Sequence, residues 1–166
     1  MKYIAIMTIG LIIGISGFYF WNQKQLEKRQ TEIHAKGSEV MPFDLTTTTH
    51  VFQKTKEGGL QQVRAEDSSD KYQITQIQDH LQEEAERFAT GDFGDPAQLH
   101  GDNMPGLATL KKSSDKISVE YQDLDDGGQI IYMTDDEEVV QAIQHWFDAQ
   151  LTDHGSDAVD HSQMMH

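Results

Sequence analysis

The chain has 166 residues, with 13 Lys+Arg against 28 Asp+Glu, 8 His, 7 Met and no Cys. That length fits one domain with accessories rather than a two-domain enzyme. Without Cys there is no disulfide, thiolate zinc site, iron–sulfur cluster, covalent c-type haem or cysteine nucleophile, and a net charge of −15 sets nucleic acid aside as a partner because phosphate binding needs a basic stripe.

Residues Tyr3 to Trp21 form an uncharged run of 19, near the ~20 apolar residues a membrane-spanning helix needs. Phe18, Tyr19, Phe20 and Trp21 suit the aromatic belt at a membrane interface. Large aromatics follow the run instead of a small-x-small cleavage site, so residues 1–21 read as an uncleaved anchor more than a signal peptide. Lys24, Lys28 and Arg29 after the run argue for an inside C-terminal part by the positive-inside rule. A very short N-terminus before an apolar run argues for export. The expectation is a single pass in the cytoplasmic membrane, with the C-terminal part on the periplasmic, extracytoplasmic side.

Residues 22–40 are polar, of mixed charge, and read as a tether that begins as a helix. Residues 41–154 hold 8 Lys+Arg and 23 Asp+Glu, so this body carries the whole net charge. Thr46 to Gln53 is β-branched and aromatic, Glu57-Gly58-Gly59 signals a hairpin, and Leu60 to Arg64 returns. Asp67-Ser68-Ser69-Asp70 offers N-caps, and Ile74, Ile77, Leu81, Ala85 and Phe88 share one helical face. The order then repeats. Ile117, Val119 and Tyr121 alternate, Asp125-Asp126-Gly127-Gly128 turns, and Gln129 to Met133 returns. Thr134 with Glu137 predicts a capping box, followed by an apolar face of Val139, Val140, Ile143, Trp146, Phe147 and Leu151. The predicted fold class is α+β: two β-hairpin–helix units forming a four-stranded antiparallel sheet with both helices on one face, plus the N-terminal transmembrane helix. Between the halves, Gly91 to Leu107 is a long connector in which Asp95-Pro96 predicts a helix cap and first position, and Gly101 its end. Residues 155–166 show no apolar period and read as a disordered tail.

Chemistry-bearing residues centre on histidine and methionine. His100 with Met104 in the connector pairs imidazole with thioether, a donor set that suits copper, Cu(I) above all. His50 and His154 are the residues expected to complete the set. His154, His161, Met164, Met165 and His166 near the C-terminus offer looser capture. His80 with Glu83 and Glu84 shares a helix face, but misses the zincin spacings, and its glutamates read as a solvated face. His145 with Asp148 reads as surface decoration. No phosphate-binding glycine loop and no nucleophile elbow occurs, so no catalytic residue is assigned.

Met41-Pro42-Phe43-Asp44-Leu45, Thr49-His50-Val51-Phe52, Gly91-Asp92-Phe93, Asp95-Pro96, His100-Gly101, Met104-Pro105-Gly106-Leu107, Trp146-Phe147-Asp148-Ala149-Gln150 and Asp153-His154-Gly155 carry a resemblance. Over residues 41–155 the chain resembles a group of small exported bacterial proteins of unsettled function, which often bear the name aspartate carbamoyltransferase. That activity needs two α/β domains and an S-x-R-T-R phosphate segment. This sequence has neither, and its body holds only Arg64 and Arg87. The resemblance therefore implies export and no catalytic residues. The expectation is a membrane-anchored domain that binds or handles a transition metal, copper first. The alternatives are an interaction module for another envelope protein without metal, or a b-type haem binder using His and Met.

Overall fold

The computed structural model describes residues 2–160, with side chains from Ser16 onward. The side chains of the apolar run up to residue 15, and the tail residues His161, Met164, Met165 and His166, lie outside the described residues. Among the described residues no helix is long and apolar enough to cross a membrane.

Helix α1 runs unbroken over Lys2–Val40. Residues 22–40 are therefore not a loose tether. Leu26, Gln30, Ile33 and Gly37 recur at helical spacing and turn inward, and Ile33 is only 4% exposed. Gly37 lets the helix pack closely on Leu45, whose side-chain end a Cβ would meet at 2.7 Å. The four aromatics Phe18 to Trp21 project from the same helix and stay exposed.

Strands β1 (Thr48–Thr55) and β2 (Gly58–Ala65) form the first hairpin, and helix α2 (Lys71–Ala89) follows. Asp70 caps α2 by accepting from the Gln73 N–H at 3.0 Å. The predicted stripe Ile74, Ile77, Leu81, Ala85 and Phe88 is buried. Strands β3 (Ser118–Leu124) and β4 (Gly127–Met133) form the second hairpin, and helix α5 (Glu137–His154) follows. The predicted capping box does not form. Asp136 caps α5 by accepting from the Glu138 and Val139 N–H groups, while Thr134 Oγ1 accepts from Asp136 N. A carboxylate two residues further on is the stronger acceptor, so the helix starts later.

The sheet is mixed and five-stranded, in the order β3-β4-β2-β1-β5, not four-stranded and antiparallel. The two hairpins join through antiparallel β2 and β4, with Gln61 opposite Ile130. The fifth strand, β5 (Ala158–Asp160), pairs parallel to β1 and comes from residues expected as tail. Three residues, Ala158 to Asp160, are too short a run to give a strand signal. They are held because β1 offers an unpaired edge. Tyr132 of β4 meets Phe88 of α2 and both Trp146 and Phe147 of α5, so both helices cover the same sheet face. On the other face Gln62, Gln129 and Gln122 hydrogen bond in a row across three strands.

The connector supplies helices α3 (Gly94–His100) and α4 (Leu107–Lys112). Asp95 is not the cap of α3. The Asp92 carboxylate accepts from Gly94 N, and Asp95 is held instead by Arg87. Phe93 stacks on Phe88 with centroids 4.6 Å apart, and Trp146 stands edge-on to both. Gly106 lies at φ +79, where a Cβ would strike the Ala142 carbonyl oxygen at 2.0 Å. The connector is thus pinned against α5 at the start of α4.

Candidate functional site

Three of the four sequence-selected ligand residues converge. His50 sits in β1 on the face that the helices cover, opposite Val63 and beside Ala158 of β5. His100 is the last residue of α3 and His154 the last of α5; each precedes a glycine with positive φ that ends its helix. Helix C-termini carry partial negative charge, so both ends favour a cation nearby. The His50 and His154 rings stack with centroids 4.9 Å apart, and His100 stands edge-on to His154 at 5.1 Å.

Met104 is not among them. It packs into the hydrophobic core and borders a separate surface cleft with Pro105 and Ala149. The reason is local. Gly101 takes φ +95 and its carbonyl accepts from Met104 N, so the chain reverses between the two side chains that sequence spacing paired.

What orients His100 is a carboxylate. Asp153 Oδ2 lies 2.8 Å from His100 Nδ1, and Arg29 of α1 pairs with the same carboxylate while donating to the His100 carbonyl oxygen at 3.1 Å. Burial would raise the Asp153 carboxyl, but the His100 and Arg29 hydrogen bonds hold it at about 2. The hydrogen bond to Asp153 engages His100 Nδ1, so Nε2 is the ring nitrogen left to meet a ligand. Burial pushes the His50 ring down to about 4 and His154 well below the usual imidazole range, with neighbouring rings opposing charge further. These imidazoles are neutral at physiological pH, the form that binds metals.

The cluster opens on a small cavity of about 30 Å3, lined also by Phe43, His80, Glu84, Trp146 and Gln150. Among the described residues, three buried polar atoms have no hydrogen-bond partner within the protein: His50 Nδ1, Trp146 Nε1 and Gln150 Oε1. All three belong to residues that line this cavity. Buried polar groups are nearly always satisfied, so these three atoms can each take a hydrogen bond from or to a water or other polar molecule in the cavity. Across the cavity, burial and then the Asp95 hydrogen bond push the Glu84 carboxyl up to about 8, and Arg87 binds both carboxyls. Glu84 is not part of a solvated face; Glu83 beside it is. Among the described residues no group of three or more His, Cys, Asp or Glu is placed to hold a metal ion, and the His50 and His154 rings lie face to face.

His145 is exposed, as its position off the apolar stripe implies. Sequence reasoning missed Arg29, Gln150 and the Glu84–Asp95 pair. Arg29 lay in an expected tether, and a lone Gln on a helix carries no motif. No family model, curated protein sequence or solved structure matches the chain.

Proposed function

We propose that this is a membrane-anchored extracytoplasmic domain that binds a transition-metal ion at His50, His100 and His154, with copper the first candidate. The observation that carries the reading is the set of three imidazoles, His154 in ring contact with both His50 and His100, around a cavity with unmet polar atoms. Imidazoles bound to one ion at ~2.0–2.1 Å have ring centroids about 5 Å apart, which is the spacing seen. Rotation of His50 and His154 out of their stack would bring the donors into line and give His50 Nδ1 a partner. Asp153 behind His100 is the carboxylate support that metal-bound histidines usually have. With Met104 outside the set the donors are nitrogen, and the affinity order of divalent metals then favours copper over zinc. The anchoring part rests on the apolar run and on the exposed aromatics Phe18 to Trp21 along α1. The stretches that carry the resemblance to exported proteins also supply cavity residues, Phe43, His50, Asp95, His100, Trp146 and His154 among them.

The test is a competition titration of full-length protein in detergent micelles with Cu(I), Cu(II) and Zn(II). One tight equivalent that survives substitution of His161 and His166, and is lost in His50→Ala and His154→Ala, supports the reading. Binding that follows His161 and His166 instead, or no tight binding, overturns it. The alternative of an interaction module without metal draws on β3, the terminal strand of the sheet, whose side chains are exposed or half-buried. A b-type haem is the weakest alternative, since about 30 Å3 is far below the ~300 Å3 or more of ordinary ligand pockets.

A further inference from the structure

The buried cluster has one neighbour that reaches solvent. A cleft of about 400 Å3 lies between α1 and the turn after α5, with Glu27, Gln30, Thr31 and His34 on one wall and His154, Ser156 and Asp157 on the other. His154 belongs to both linings: the same side chain borders this cleft and the inner cavity. Asp157 is shared in another way. Its carboxylate pairs with His34 Nδ1 at 2.9 Å, while its backbone hydrogen bonds the His50 ring. The second large cleft, beside Met104 and Arg29, has no residue in common with the inner cavity.

We infer that this cleft is the route by which a metal ion exchanges between solvent and the imidazole cluster, with His34 and Asp157 as an outer capture pair and His154 as the ligand that passes the ion inward. The inference rests on the metal reading above. A bare cation cannot cross an apolar wall, because losing its hydration without replacement costs far more than any site returns. Exchange has to proceed ligand by ligand. His34 and Asp157 offer a nitrogen and a carboxylate at the surface, each about a third exposed as a side chain. His154 stands between them and His50, and its rotation out of the His50 stack hands over the ion. Helix α1 builds this route as well as closing it. Gln30 donates to the Thr152 carbonyl oxygen and Arg29 binds Asp153, so the helix that holds His34 also holds the end of α5 where His154 sits.

Two tryptophans occur in the chain, and Trp146 lines the inner cavity. In a Trp21→Phe background Trp146 alone reports Cu(II) arrival by fluorescence quenching. Stopped-flow mixing of full-length protein in micelles with Cu(II) gives the uptake rate, and mixing the loaded protein with excess chelator gives the release rate. In His34→Ala and Asp157→Ala both rates should fall about tenfold together while equilibrium affinity stays within about threefold, because a route changes passage in both directions and not the end states. Thr31→Tyr, an exposed position on the cleft wall, should slow both rates without touching a donor. Unchanged rates in all three variants overturn the route and leave the cluster standing. An affinity loss in His34→Ala as large as in His154→Ala also overturns it, since His34 would then be a ligand of the bound state. Absence of quenching in the Trp21→Phe parent overturns the metal reading and the route with it.

Discussion

Hairpin β1–β2 with helix α2 and hairpin β3–β4 with helix α5 are built alike, and they differ where it matters for chemistry. Each hairpin turns in two residues, Lys56-Glu57 and Asp125-Asp126, and each return strand opens with paired glycines. The glycines serve packing more than the turn. A Cβ on Gly59 would meet the Phe147 ring at 2.4 Å, and one on Gly128 would meet Tyr121 at 3.0 Å and Leu81 at 3.2 Å. His50 and Val119 lie at the same distance before their turns, on the same face of the sheet. In the second half that place holds a valine at a sheet edge. In the first half it holds a histidine, and three segments outside the repeat surround it: α1, the end of α3, and the turn leading to β5. One hairpin unit is scaffold, and the other is the same scaffold with a polar residue where the covering segments can make use of it.

One expected effect, a dependence on pH, belongs to the first half alone, since His50 of β1 and Glu84 of α2 both lie in it. Glu84 binds its proton more tightly folded, near 8, than its ordinary 4.5, so the folded state holds an extra proton between those values and stability falls as pH rises through them. His50 has the opposite sign, since its folded value near 4 lies below 6.5 and stability falls as pH drops through that window. Chemical denaturation of metal-free protein should therefore give greatest stability near pH 6.5, with roughly 2 kcal/mol lost by pH 9 at 1.36 kcal/mol per unit over the part of the Glu84 window that lies above it. Glu84→Gln should remove that alkaline loss, and its persistence would show that another group causes it.

Exchanging the equivalent residues sharpens the contrast further. His50→Ala should weaken copper binding more than about 100-fold, beyond the 10–100-fold typical of supporting residues. Val119→Ala should leave the affinity unchanged in the same titration. Asp153→Asn should fall between them, at about 10–100-fold, because it removes the support of His100 without removing a donor. Smallest and purely structural is the glycine pair. Gly59→Ala should cost about 1–3 kcal/mol in denaturant midpoint experiments, as overpacking does. Gly128→Ala should cost less, since the atoms in its way are the ends of side chains that can move. Equal costs would mean that the two halves tolerate strain alike despite their different neighbours.

Local signals decided most of the scaffold. The alternation of β1 and β3, the Asp70 cap and the stripe from Ile74 to Phe88 are periodicities of 2 and 3.6 that depend only on neighbours in the chain. The end of α3 was legible for the same reason, through Gly101. The candidate site was legible as a list of residue types, with His50, His100 and His154 chosen for their chemistry, but the pairing of His100 with Met104 assumed that closeness in sequence means closeness in space. A single reversal at Gly101 undid it.

The amino-acid sequence by itself determined an acidic α+β body, its two hairpin–helix units and which imidazoles were available. Tertiary structure alone decided that β5 completes the sheet, that α1 docks instead of hanging free, and that Asp153, Arg29 and the Glu84–Asp95 pair surround the imidazoles. Those features are long-range. β5 forms only because β1 presents an open edge, and Glu84 changes its proton affinity only because the connector folds over it and shuts out water.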